Sequence, residues 1–90
     1  MRAKQSWQKI ARVLEVPQDL VMDLPRITML GNQQILLENH RGIVEYTPTD
    51  IRINLSNGTL LIKGANMSLG NLQQDQLLIE GIVEEIHYDT

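Results

Sequence analysis

The chain has no cysteine and no phenylalanine, and only one tryptophan, two tyrosines and three prolines among its 90 residues. Without cysteine there is no disulfide and no thiolate metal site, and a reducing cytoplasm is compatible with the composition. No apolar run approaches the roughly 20 residues of a membrane helix, and the N-terminus lacks the uninterrupted apolar stretch of a signal peptide. The expectation is a chain that stays where it is made. At this length about 60–65% of the unfolded chain's surface can be buried, which implies a modest core in a single domain over 1–90.

Acidic residues are missing from positions 1–14, where Arg2, Lys4, Lys9 and Arg12 give a charge of +4. Residues 15–90 hold four basic and eleven acidic side chains, a charge of −7. Generic nucleic-acid binding by that body is disfavoured, because it would repel phosphates. Ala3, Trp7, Ile10, Ala11 and Leu14 recur at helical spacing while Lys9 and Arg12 lie opposite, so residues 3–15 are expected to form a basic amphipathic helix. Val16-Pro17 ends it, since the residue before proline is pushed out of the α region. Three readings stay open for this arm: packing on the body, lying in a membrane interface, or filling a partner's groove.

From residue 26 onward the apolar period is two. Leu60-Leu61-Ile62-Lys63-Gly64 returns as Leu77-Leu78-Ile79-Glu80-Gly81, with a looser relative in Ile35-Leu36-Leu37-Glu38-Asn39. Such bursts, each closed by a charge and a turn former, are serial strands. Ile27 to Leu30 and Gln34 to Glu38 flank a turn at Gly31-Asn32. Either a two-residue loop at Asn39-His40 or a four-residue loop through Gly42 would then return the chain to a strand at Ile43 to Tyr46. Asn57-Gly58 reads as a type I′ turn that sets Leu55 opposite Leu60 and Arg52 opposite Lys63, with Ile51, Ile53, Leu55, Leu60 and Ile62 on one buried face. A short strand at Met67 to Leu69 and a polar connection at Gly70 to Asp75 should precede a last strand, Leu77 to Tyr88, whose apolar phase slips. A bulge at Gly81 would absorb that slip.

Nothing in this pattern assembles chemistry. His40, read as an exposed loop residue, and His87 each lack a second histidine at ligand spacing. Ser6, Ser56 and Ser68 lie in no nucleophile elbow, and Glu84 and Glu85, adjacent on a strand, should point to opposite faces. The six glycines form no phosphate loop. The expectation is a protein that is not an enzyme and has no cofactor, metal or catalytic residue; Arg2, Lys4, Trp7, Lys9 and Arg12 are the candidates for partner or membrane contact.

Asp23-Leu24-Pro25-Arg26-Ile27-Thr28, Glu38-Asn39-His40-Arg41-Gly42-Ile43 and the two Leu-Ile-x-Gly phrases, in this order and spacing, resemble the YabP/YqfC family of sporulation proteins, its YqfC branch more than its YabP branch. The resemblance runs nearly the full chain and implies a role in endospore formation in the mother-cell compartment, in the cytoplasm or peripheral at a membrane. It implies no catalytic residue. It makes a larger, membrane-associated sporulation protein of the YqfD type the first candidate partner. The fold expected is mainly β, a small antiparallel sandwich or roll of about seven or eight short strands over 26–90 with one N-terminal amphipathic helix; a solenoid is the alternative. The function expected is a non-catalytic assembly or adaptor module in spore-envelope morphogenesis. A small-ligand-binding β module and a membrane tether are the alternatives. Open edges at the Ile27 strand or the last strand would favour a homo-oligomer or partner strand addition.

Overall fold

A computed structural model describes residues 23–90. The helix expected over 3–15 lies outside them. The described chain is six strands, β1 (Arg26–Leu30), β2 (Gln34–Glu38), β3 (Ile43–Tyr46), β4 (Asp50–Leu55), β5 (Gly58–Gln73) and β6 (Gln76–Asp89). They form one antiparallel sheet in the order β1-β2-β6-β5-β4-β3. The mainly β, antiparallel reading holds. Fewer and longer strands replace the seven or eight expected, because Met67 to Leu69 and most of the presumed polar connection belong to β5, which turns only at residues 74–75.

The β5–β6 ribbon is the spine. Along one half, residues 76–80 of β6 pair with β2, and β1 lies outside β2. Along the other half, residues 58–63 of β5 pair with β4, and β3 lies outside β4. We refer to these halves as the first and second leaf. The leaves fold over each other: Asn39 N donates to Asp75 O at the ribbon's tip (2.9 Å), and two residues on Arg41 N donates to Asn54 O (2.7 Å), which lies opposite the start of β5. One short stretch can touch both ends only if the ribbon is bent.

The bend has a cause in the register. Core side chains of β5 sit on even positions at Leu60 and Ile62 and on odd ones at Met67 and Leu69; those of β6 sit on odd positions at Leu77, Ile79 and Val83 and then on Ile86. Around the bend each strand therefore slips once; a further irregularity lies near the tip of the ribbon, between Asn71 and Gln73. Lys63 pairs with Glu85 but Gly64 with Val83, and Ala65 pairs with Ile82 but Ser68 with Glu80. The two slips compensate, so both leaves share one register, and both put their apolar positions inward. The phase change of β6 thus falls at Glu84, three residues beyond the expected Gly81, because a residue is inserted there opposite Lys63 and Gly64. Gly81 serves a different purpose. Its φ is +141°, and a Cβ there would lie 2.7 Å from both Asn66 O and Met67 Cα; at Gly64 it would lie 1.9 Å from Ile82 O. The strands cross the bend backbone to backbone.

Eleven buried aliphatic side chains, from Ile35 and Leu37 in the first leaf to Ile51, Ile53, Leu60 and Ile62 in the second, make one cluster with Met67 and Val83 at the corner. Each contributes about 1.5–3 kcal/mol relative to exposure. Among the described residues no polar or charged side chain is buried in it.

Three pairings differ from those expected. Around Asn57-Gly58, Leu55 faces Gly58 and Ile53 faces Leu60, a shift of two residues. That shift keeps Ile51, Ile53, Leu55, Leu60 and Ile62 on one face, as expected, and replaces the like-charged Arg52/Lys63 pair with Asp50 opposite Lys63. Ser56 and Asn57 have no positive φ, so the turn is not type I′; Gly58 takes φ +154° instead, where a Cβ would meet Asp89 O at 2.3 Å. Residues 39–42 close no hairpin at all. They cross from one leaf to the other, because β2 has β6 as its second partner and β3 pairs with β4. Finally, the last strand is central; the free edges among the described residues are β1, as expected, and β3.

The repeated phrase is also resolved. Leu60 to Gly64 and Leu77 to Gly81 lie on neighbouring strands but in different leaves. The segment opposed to Leu77 is the looser relative, with Ile35 opposite Ile79 and Leu37 opposite Leu77.

Candidate protein-contact surfaces

Alternation along a strand sends every second side chain outward, and the two leaves differ in what they send. Outside the second leaf, Glu45, Arg52, Leu61 and His87 form one row, flanked by Asn54 and Thr59 on one side and Lys63 and Glu85 on the other. Only Leu61 is apolar. Arg52 Nε lies 3.9 Å from Glu45 Oε1, a surface pair worth about 0–1 kcal/mol.

Outside the first leaf, Thr28, Leu36, Leu78 and Gly70 form the central row. Thr28, Leu36 and Leu78, with Leu30, Gln34 and Leu72, line a shallow, almost purely apolar groove of about 250 Å³. Leu30 is 65% and Leu72 53% exposed. Gly70, opposite Leu78, adds no side chain beside it. Two carboxylates border the groove: Glu80 accepts from Gln34 Nε2 (3.1 Å) and Glu38 from Gln76 Nε2 (3.4 Å).

The second leaf offers a different surface, its edge. All four residues of β3 are exposed, Ile43 at 41%, Val44 at 54% and Tyr46 at 46%. Tyr46 Oη donates to Met67 O (3.3 Å), so its ring is anchored across the bend. A register shift between Ile43 and Glu45 interrupts the pairing of β3 with β4. β1 is the smoother edge, paired residue for residue with β2.

A polar cluster closes the open ends of the leaves. Asp23 is bound by Arg41 and by Asn39 Nδ2 (3.2 Å), which also donates to Leu24 O (3.0 Å), while Ser56 Oγ donates to Asp23 O. The Arg41 hydrogen bond, then that from Asn39, holds the Asp23 carboxyl below its ordinary value. His40 is half-buried here, not the exposed loop residue expected: Gly42 N donates to its Nδ1 (2.9 Å), and its Nε2 is buried without a partner among the described residues. Burial pushes its pKa down, with Asp75 opposing and Arg41 reinforcing the shift. This cluster is structural, tying the entry of β1 to the crossover.

The residues weighed for chemistry remain apart. Ser68 is opposite Glu80 outside the first leaf, His87 is outside the second, and Ser56 is used by the Asp23 contact. Glu84 is the inserted residue at the slip in β6 and Glu85 follows it; both are exposed, so plain alternation does not separate them. Among the described residues no three histidine or acidic side chains converge on a metal-sized site. Arg2, Lys4, Trp7, Lys9 and Arg12 lie outside the described residues. Among those described, no helix is long and apolar enough to cross a membrane.

The model of the YabP family matches residues 23–90, the whole of the bent sheet. The chain belongs to the YabP family. It is 38% identical over 79 residues to a Bacillus subtilis (strain 168) protein designated uncharacterized protein YqfC, covering 88% of this chain and 85% of that one. No solved structure matches it. For a YabP-family chain the apolar groove was the feature least visible in advance. Its signal is the unbroken triplets Ile35-Leu36-Leu37 and Leu77-Leu78-Ile79, which make both faces of the first leaf apolar, where Ile51-Arg52-Ile53-Asn54-Leu55 alternates.

Proposed function

We propose that this YabP-family protein is a non-catalytic assembly module of endospore formation, working by holding a protein partner. The observation that carries the reading is the β3 edge, a strand with one neighbour whose Ile43, Val44 and Tyr46 are all solvent-exposed. Exposed apolar residues on an open edge are what a partner strand or loop covers, through main-chain hydrogen bonds and side-chain contact. The occupant we assign is a membrane-associated sporulation protein of the YqfD type, met at the cytoplasmic face of a mother-cell membrane. Family membership supports the sporulation context, and the scattered serines, histidines and carboxylates favour binding over turnover. The small-ligand reading is weaker, because the apolar groove is open and falls below the roughly 300–1,000 Å³ usual for ligand sites, and the larger cleft of about 650 Å³ beside His40, Arg41 and Asp75 is mostly polar and more open still.

The test is co-purification with the YqfD-type protein from sporulating cells, using the wild-type chain and Val44→Asp. Val44 is exposed, so the variant keeps its fold. Loss of the partner with Val44→Asp and its retention with Leu61→Asp on the outer face supports the proposal. Equal capture by both variants, or none by the wild type, contradicts it.

A further inference from the structure

We infer that the basic amphipathic segment at residues 3–15 docks in the apolar groove outside the first leaf, so that the protein carries its own cover for that face. This goes beyond the β3-edge reading and involves a different leaf.

The dimensions fit. A helix over 3–15 would be about 20 Å long. The first leaf is four strands wide, about 15–20 Å at sheet spacing, and its strands run about 17 Å. The chain also ends in the right place: Asp23 and Leu24 are pinned to Asn39, and β1 starts at Arg26, whose row on the outer face continues through Glu38 and Gln76 beside the groove. Residues 16–22 reach at most about 23 Å when extended, enough to return a helix onto this face.

The chemistry fits as well. Trp7, Ile10 and Leu14 make a single stripe to meet Leu30, Leu36, Leu72 and Leu78, and Gly70, opposite Leu78, puts no side chain in the way. Residues 23–90 hold four basic and nine acidic side chains, a charge of −5, against +4 on residues 1–14. With the stripe in the groove, Lys4 on its flank emerges at the rim, where Glu38 and Glu80 border it, while Lys9 and Arg12 on the opposite face stay in solvent. The outer face of the second leaf has no comparable row of apolar side chains, and the exposed residues of β3 lie on a strand edge, which suits a partner strand and not a helix face.

Trp7 is the sole tryptophan and cysteine is absent, which makes the test clean. In the full chain without lipid, Trp7 fluorescence should be blue-shifted and shielded from acrylamide. In Leu30→Glu/Leu72→Glu, whose positions are exposed and leave the core intact, the emission should move to that of tryptophan in water and quenching rise several-fold, with the β circular dichroism unchanged. A nitroxide on Gln34→Cys, at the groove, should broaden the Trp7 indole NMR signal several-fold more than one on Arg52→Cys outside the second leaf. Water-like emission in the wild type, a blue shift that requires anionic vesicles, or broadening that disappears when labelled chain is diluted with unlabelled chain would each overturn the inference. The last two outcomes would assign the segment to a membrane or to a second copy. None of these results depends on capture of the YqfD-type partner.

Discussion

Ile35, Leu37, Leu77 and Ile79 of the first leaf and Ile51, Ile53, Leu60 and Ile62 of the second are all removed from solvent in one cluster. On the outside the leaves diverge, with Leu30, Leu36, Leu72 and Leu78 around a groove on one and Glu45, Arg52, Lys63 and His87 on the other. The inner faces must match because folding requires it; the outer faces are free to differ. What differs between them is therefore where function has room to act.

The sharpest way to break the comparison is at the bend. Gly64→Ala forces a Cβ against the Ile82 carbonyl, and urea unfolding should show a loss above about 4 kcal/mol, enough to abolish the fold. Gly70→Ala, within a leaf, meets nothing nearer than 4.0 Å and should change stability by less than about 1 kcal/mol. Next come the inner faces, which should respond alike. Ile53→Ala and Ile79→Ala, one per leaf, should each cost about 2–5 kcal/mol by the same measurement. A large inequality would mean that one leaf folds without the other.

The outer faces should respond unequally and more mildly. Leu61→Lys is expected to fall within about 0.5 kcal/mol of wild type. Leu78→Lys, in the groove we assign to residues 3–15, should cost more in the full chain, about 1–3 kcal/mol. Smallest is the pH response of the loop that joins the leaves. His40 has a folded pKa below its ordinary 6.5, so the fold favours its neutral form: stability is complete above 6.5 and falls as pH drops through the folded value. Asp23, held below 3.8, loses its contribution only at still lower pH. Thermal melts between pH 7 and pH 5 should show a decline that His40→Asn flattens.

Strand positions were legible wherever local pattern decides them. Ile43 to Tyr46 is β3 to the residue, and the alternation of Ile51, Ile53 and Leu55 marks the buried face of β4. Pairings that depend on distant chain were not legible. The two-residue shift at Asn57-Gly58 is fixed by Asp89 closing on Gly58 from the far end of β6. An Asn39-His40 hairpin would set Glu38 opposite Arg41, a favourable charge pair; Arg41 instead binds Asp23. The slip in β6 was visible as a change of parity, and glycine was the natural suspect. Locating it at Glu84 requires knowing that Gly64 pairs with Val83. The groove escaped notice because an apolar triplet reads as one buried strand, and only the assembled sheet shows which of its residues face outward.

Methyl NOE spectroscopy on the full chain tests the bent sheet most directly. Two leaves over one core predict NOEs from the methyls of Ile35, Leu37 and Ile79 to those of Ile51, Ile53 and Ile62, residues of different leaves that are not partners in any strand pairing. NOEs confined to each leaf, as an open flat sheet would give, would contradict the account.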